Sequence, residues 1–169
     1  KTLPAEFAIR HFTDLGKKVI YTTPIKALSN DKFRELTEKF PDISFGILTG
    51  DNKCNPEADV LIMTTEILRN SLYIMETNGT DDRSLEFSMD IERELGCVVF
   101  DEVHYINDTG RGHVWEETFM LLPKSVQLVM LSATIDNPTR FKDWVAKTTQ
   151  REVVLTGTNE RIVPLNHQM

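Results

Sequence analysis

The apolar run Cys97-Val98-Val99-Phe100, followed at once by Asp101-Glu102-Val103-His104, constrains this chain more than any other segment. Apolar residues without alternation read as a strand covered on both faces, the pattern of a parallel sheet with helices on either side. Carboxylates at the carboxyl end of such a strand sit where open α/β sheets bind their ligands. Two adjacent ones suit nucleotide hydrolysis. One can hold Mg2+ through its water shell, and the next can position and deprotonate the attacking water. A charged pair that merely ends a strand is the plain alternative, and the remainder of the chain decides between the two.

Lys1-Thr2 supplies a partner for the acidic pair. A phosphate-binding loop ends in Gly-Lys-Thr/Ser, its Lys reaching the β/γ-phosphates and its hydroxyl ligating Mg2+. Here the Lys-Thr is followed by helical spacing at Ala5, Ile9, Phe12 and Leu15. The sequence therefore reads as opening inside a nucleotide-binding loop, with the glycine-rich part upstream of Lys1.

Strand and helix patterns then alternate. Val19–Thr22, Phe45–Leu48, Val60–Met63, Cys97–Phe100 and Val126–Leu131 are short apolar strands, and Val153-Val154-Leu155 is a late one. Amphipathic helices are expected over Asp31–Phe40 (capped by Ser29 or Asn30), Thr65–Tyr73, Trp115–Leu122 and Phe141–Val145. Repeated βα units imply an α/β fold with a doubly wound, mainly parallel sheet and helices on both faces. Residues 74–95 interrupt the pattern with the turn-rich Glu76–Arg83 and read as a surface insertion. One domain over 1–155 and a connector over 156–169 complete the organisation.

At 169 residues the chain can bury a core of its own. A net charge of −7 argues against polyanion binding by the whole surface, though it leaves room for a local groove of amides, hydroxyls and a few cations. No apolar run approaches the ~20 residues of a membrane helix. Two cysteines cannot make a disulfide framework, so a reducing intracellular compartment, nucleus or cytoplasm, is expected. His11, His113 and His167 show no ligand spacing, which argues against zinc. Trp115 and Trp144 fall in helical patterns and are assigned to the core.

Three segments lie just past apolar strands and hence on one rim of the sheet: Thr23–Asn30, Thr49-Gly50-Asp51 and Thr64–Arg69. Small hydroxyl residues, a glycine and helix N-termini hold a phosphate backbone through amides and hydroxyls, and Lys26 and Arg69 can add charge. Each segment alone is an ordinary turn or cap. Three in order, followed by the acidic strand, point to nucleic acid.

The series Lys1-Thr2, TPIKALSN (23–30), LTGD (48–51), TTEILRN (64–70), VVFDEVHYIND (98–108) and LSAT (131–134) resembles superfamily 2 DExH helicases, and within them the superkiller-type, exosome-associated RNA helicases. The resemblance spans nearly the whole chain and implies a first RecA-like motor domain. It implies ATP and Mg2+ as cofactors, with Lys1 on the β/γ-phosphates, Thr2 and Asp101 on Mg2+, and Glu102 activating water. It gives His104, Ser132 and Thr134 the task of coupling ATP state to closure against a second RecA-like domain of the same protein. Pro24, Lys26, Ala27, Thr49, Gly50, Thr65, Glu66 and Arg69 would line a single-stranded RNA path, without reading sequence. An exosome-type RNA decay complex and 3'-5' polarity are implied by resemblance only. Gly110–His113 reads as a flexible loop or as a contact to the next motor domain. A repair-branch DNA helicase and a catalytically retired RNA-binding scaffold are the competing readings; the intact Asp101, Glu102 and Ser132-Ala133-Thr134 argue against the scaffold.

Overall fold

The computed structural model describes residues 2–78, 89–133 and 135–157, and the chain divides into two compact units, residues 1–135 and 136–169. In the first unit six strands form one sheet in the order β3-β2-β4-β1-β5-β6. These are β1 (Lys18–Thr23), β2 (Phe45–Leu48), β3 (Lys53–Cys54), β4 (Val60–Thr64), β5 (Leu95–Phe100) and β6 (Gln127–Met130). All neighbours are parallel except β3, a two-residue antiparallel edge on β2 that the apolar pattern does not reveal because both its residues are exposed.

The alternation of side chains along the strands sorts the core into two layers. Val19 and Tyr21 of β1, Val60 and Ile62 of β4, and Cys97 and Val99 of β5 face one side. There they meet Ala5, Ala8 and Ile9 of α1 (Leu3–Asp14) and Leu36 of α2 (Lys26–Lys39). The opposite side carries α3 (Thr65–Asn78) and α5 (Gly112–Leu121), and Phe119 of α5 meets Phe100 edge-to-face with ring centroids 4.8 Å apart. Burial on both faces explains why the central strands lack polar alternation, and the mainly parallel, doubly wound fold expected from sequence is the one observed. Cys97, inside β5, has its thiol pushed up to about 12 by burial.

Several boundaries differ from expectation. α2 begins at Lys26, one turn before Asp31, and Ser29 does not cap it. The Ser29 hydroxyl is buried 2.7 Å from that of Thr23, bonded to the strand end instead of to free helix amides. α3 runs on to Asn78, and a short helix, α4 (Ile91–Glu94), capped by the Asp90 carboxylate on the Arg93 amide, leads directly into β5. Residues 74–78 and 91–94 of the 74–95 segment are therefore helical, while residues 79–88 lie outside the described residues. β6 is only partly buried, and among the described strands it is flanked by β5 alone; Val126 and Leu131 at its ends are buried.

In the second unit, α6 (Pro138–Thr149) starts at Asn137, whose side chain accepts from the Arg140 amide, and Phe141 stacks on Trp144. The strand expected at Val153-Val154-Leu155 is absent. These residues have no regular secondary structure, Val154 is 77% exposed, and no other described strand pairs with them. Apolar content alone cannot make a strand without a ladder partner. Residues 158–169 of the connector lie outside the described residues.

Gly110–His113 is a built turn. The Asp108 carboxylate accepts from the Gly110 and Arg111 amides, and its carbonyl accepts from Gly112, which opens α5. A Cβ on Gly112 would stand 2.1 Å from the Ile106 carbonyl oxygen. Gly112→Ala is expected to cost about 1–3 kcal/mol, as overpacking does. Urea unfolding would show it as a lowered midpoint at unchanged m-value.

Candidate functional site at the carboxyl rim of the sheet

β1, β2, β4, β5 and β6 all point the same way, so the segments that follow them share one rim. The crossover after β1 leads towards β2, whereas the one after β5 leads to β6 on the other side. β1 and β5 are neighbours whose connections depart in opposite directions. That is the topological switch point at which open α/β sheets bind ligands. Asp101 and Glu102 stand there.

Asp101 is 6% exposed and held on three sides. Its amide donates to the Thr22 carbonyl, 2.9 Å away on β1. Its Oδ1 accepts from the Glu102 amide at 2.9 Å, and its Oδ2 accepts from the Tyr21 hydroxyl at 2.8 Å. Burial first, and then the neighbouring Asp101 charge, push the Tyr21 phenol well above its ordinary range, so it stays a protonated donor.

Glu102 has φ 51° and ψ 44°, the left-handed region that L side chains enter at a cost. The reversal turns the chain from the buried strand into the 3-10 turn Val103–Asn107. It also brings Oε2 of Glu102 to 3.3 Å from Nδ1 of His104. The same ring nitrogen lies 3.3 Å from the Ser132 hydroxyl. Two backbone bonds tie these segments together: the Val103 amide donates to the Leu131 carbonyl, and the Leu131 amide donates to Phe100. Glu102 and His104, two residues apart, thus form one contact chain with Ser132 from the segment after β6.

The nucleic-acid residues expected from sequence distribute unevenly over the rim. Ala27 and Gly50 are exposed, Thr49 is half-buried, and Pro24 is buried. Lys26 pairs with Asp51 at 2.6 Å, and Arg69 pairs with Glu117 of α5 through Nε at 2.6 Å while lying over the Tyr73 ring. Thr65 is 1% exposed, with its hydroxyl on the Thr23 carbonyl at 3.4 Å. At that point the side chain braces the loop, and only the amide end of α3 is left for a phosphate. Glu66 lies in the first turn of α3, where its charge suits the helix dipole. Thr2 caps α1 in position only, its hydroxyl donating to Glu6 at 3.3 Å. Lys1 and Thr134 lie outside the described residues.

A DEAD/DEAH box helicase family model matches residues 1–141. The chain belongs to that family. Antiviral helicase SKI2 of Saccharomyces cerevisiae is 46% identical over 98% of this chain and 12% of its own length. Exosome RNA helicase MTR4 of Mus musculus is 44% identical over 99% of this chain and 15% of its own. The chain thus spans less than a sixth of these relatives. Among solved structures, S. cerevisiae Dbp5 bound to RNA and ADP BeF3 aligns over 94% of this chain and 39% of that one, with a TM-score of 0.66 at 20% identity. That likeness concerns the fold, which is RecA-like.

Two features of the site escaped the sequence reading. Asp51 and Glu117, the counter-ions of Lys26 and Arg69, are ordinary acids whose partners only the fold supplies. Tyr21 left one signal, a hydroxyl-bearing aromatic directly after the apolar pair Val19-Ile20 of a buried strand. The left-handed Glu102 carries its own test. Glu102→Gly is expected to fold at least as stably as the parent, whereas the β-branched Glu102→Val should lose about 1–2 kcal/mol. Equal denaturation midpoints for the two would contradict the strained geometry.

Proposed function

We propose that residues 1–155 are the first RecA-like motor domain of an ATP-dependent RNA helicase of superkiller type. In this reading residues 156–169 lead to a second RecA-like domain. ATP hydrolysis drives 3'-5' movement along single-stranded RNA in RNA processing or decay, and an exosome-type complex is the natural partner. The observation that carries the proposal is the acidic pair at the switch point, with Glu102 joined through His104 to Ser132. The 46% identity to antiviral helicase SKI2, across 98% of the chain, supports the choice of branch.

The donor set fits Mg2+, a hard cation that takes oxygen ligands. Each Asp101 oxygen accepts one internal hydrogen bond and keeps lone-pair capacity for a ligand, and Thr2 adds a hydroxyl at the N-terminus of α1. When bound, the ion supplies neutralisation of charge on the β- and γ-phosphate oxygens. Lys1 belongs on the same phosphates. Glu102 orients and activates the attacking water, with its backbone fixed in the reversal and its carboxylate against His104. His104 and Ser132, continued by Thr134, link the γ-phosphate end of the site to the segment after β6. A change at the nucleotide is thereby felt at a surface available to a second domain.

On the rim, Pro24, Lys26, Ala27, Thr49, Gly50, Thr65, Glu66 and Arg69 form the RNA path, chiefly through backbone amides and small groups. Lys26 exchanges Asp51 for phosphate as RNA arrives. Such contacts carry no base identity, so binding is sequence-independent.

The decisive experiment is ATPase activity of the full-length helicase with single-stranded RNA or DNA, beside Glu102→Gln. RNA-selective stimulation is expected, with kcat lowered by about 10²–10⁴ in Glu102→Gln. Stimulation by DNA alone would assign the protein to a DNA-unwinding branch, and binding without turnover would make it a scaffold. Residues 1–169 alone are expected to hydrolyse ATP negligibly. Robust RNA-stimulated turnover by this segment would show that no second domain is needed.

A further inference from the structure

We propose that Tyr21 is a positioning residue that fixes the Asp101 carboxylate in the orientation needed for Mg2+. The proposal rests on the reading of Asp101 as a metal-holding carboxylate.

Tyr21 lies in the middle of β1, beside β5, and is 1% exposed among Val19, Val60, Ile62, Cys97 and Val99. The other members of that cluster are apolar, so phenylalanine would fill the space without bringing a polar atom that needs a partner. The hydroxyl finds its bond in Asp101, 2.8 Å away at the end of β5. The geometry follows from the sheet. Tyr21 is in register with Val99, and Asp101, two residues on, projects to the same face. A side chain leaning along its strand covers the remaining distance only if it is long and carries a donor at the tip.

The second restraint is local, because Oδ1 accepts from the Glu102 amide. That bond alone leaves the carboxylate free to turn about its own axis. With Tyr21 of β1 on Oδ2 and the turn after β5 on Oδ1, both oxygens are held from different segments, and the plane of the group is set before any ligand arrives. Carboxylates that ligate metals are commonly held this way, and loss of such an outer partner typically costs about 10–100-fold in metal affinity or activity. Because the phenol is neutral, it orients the carboxylate without cancelling the charge that attracts the cation.

The test is binding of a fluorescent ATP analogue to the full-length helicase, titrated with Mg2+ and repeated in EDTA, for the parent, Tyr21→Phe and Asp101→Asn. Tyr21→Phe is expected to need about 10–100-fold more Mg2+ for tight nucleotide binding, while affinity in EDTA stays at the parent's value. A phenol that served only packing would shift the melting temperature and leave the Mg2+ dependence alone; that result overturns the proposal. Asp101→Asn tests the underlying reading separately. If it keeps the parent's Mg2+ dependence, Asp101 does not hold the metal, whatever Tyr21 does. Tyr21→Met also lacks the donor, and the same Mg2+ shift is expected from it. A parent-like Mg2+ dependence in Tyr21→Met would also overturn the proposal, even if Tyr21→Phe proved unstable.

Discussion

Burial of β1, β4 and β5 on both faces governs the rest of this structure. A strand enclosed by helices on either side can carry little polar chemistry along its length, because each unpaired polar atom would be left without water. Polar function is therefore displaced to where the strands end. Since the strands from β1 to β6, apart from the β3 edge, run parallel, those ends coincide. The acidic pair, the hydroxyl-rich turns and the N-termini of α2 and α3 collect on one rim as a consequence of packing.

The exceptions to the apolar interior are informative for the same reason. Thr22, Thr23 and Ser29 are buried, and each hydroxyl has a named partner within the β1–α2 region or on β5. Thr22 ties β1 to β5, while Thr23 and Ser29 lock the start of α2 against the strand end and so hold the Thr23–Asn30 turn in shape. Tyr21 differs because its partner is the side chain at the centre of the site. Strain follows a parallel logic: Glu102 accepts a left-handed backbone where the chain must leave a buried strand and turn its carboxylate towards His104.

Electrostatics on the rim also depend on tertiary placement. Lys26 and Arg69 read as cations open to a phosphate backbone, yet each lies against a carboxylate brought in from another segment. For a chain of net charge −7 this pairing limits indiscriminate attraction of polyanions. It leaves amides and small side chains as the unpaired features of that rim.

The sequence by itself determined the fold class, because continuous apolar runs alternating with amphipathic ones admit a doubly wound sheet and little else. It also determined the rim, since chemistry placed just after a buried strand has one place to go in a parallel sheet. Helix starts were less legible. Ser29 has the composition of a cap, but its hydroxyl is satisfied by Thr23, and competition between local and tertiary hydrogen bonds is invisible in one dimension. Val153-Val154-Leu155 has strand composition without a ladder, and β3 has a ladder without strand composition. Tertiary structure alone decided which groups meet: Tyr21 with Asp101, His104 with both Glu102 and Ser132, and Arg69 with Glu117. Those pairings depend on the order of strands across the sheet and on register between them. Both are set by long-range packing, which no local pattern of residues encodes.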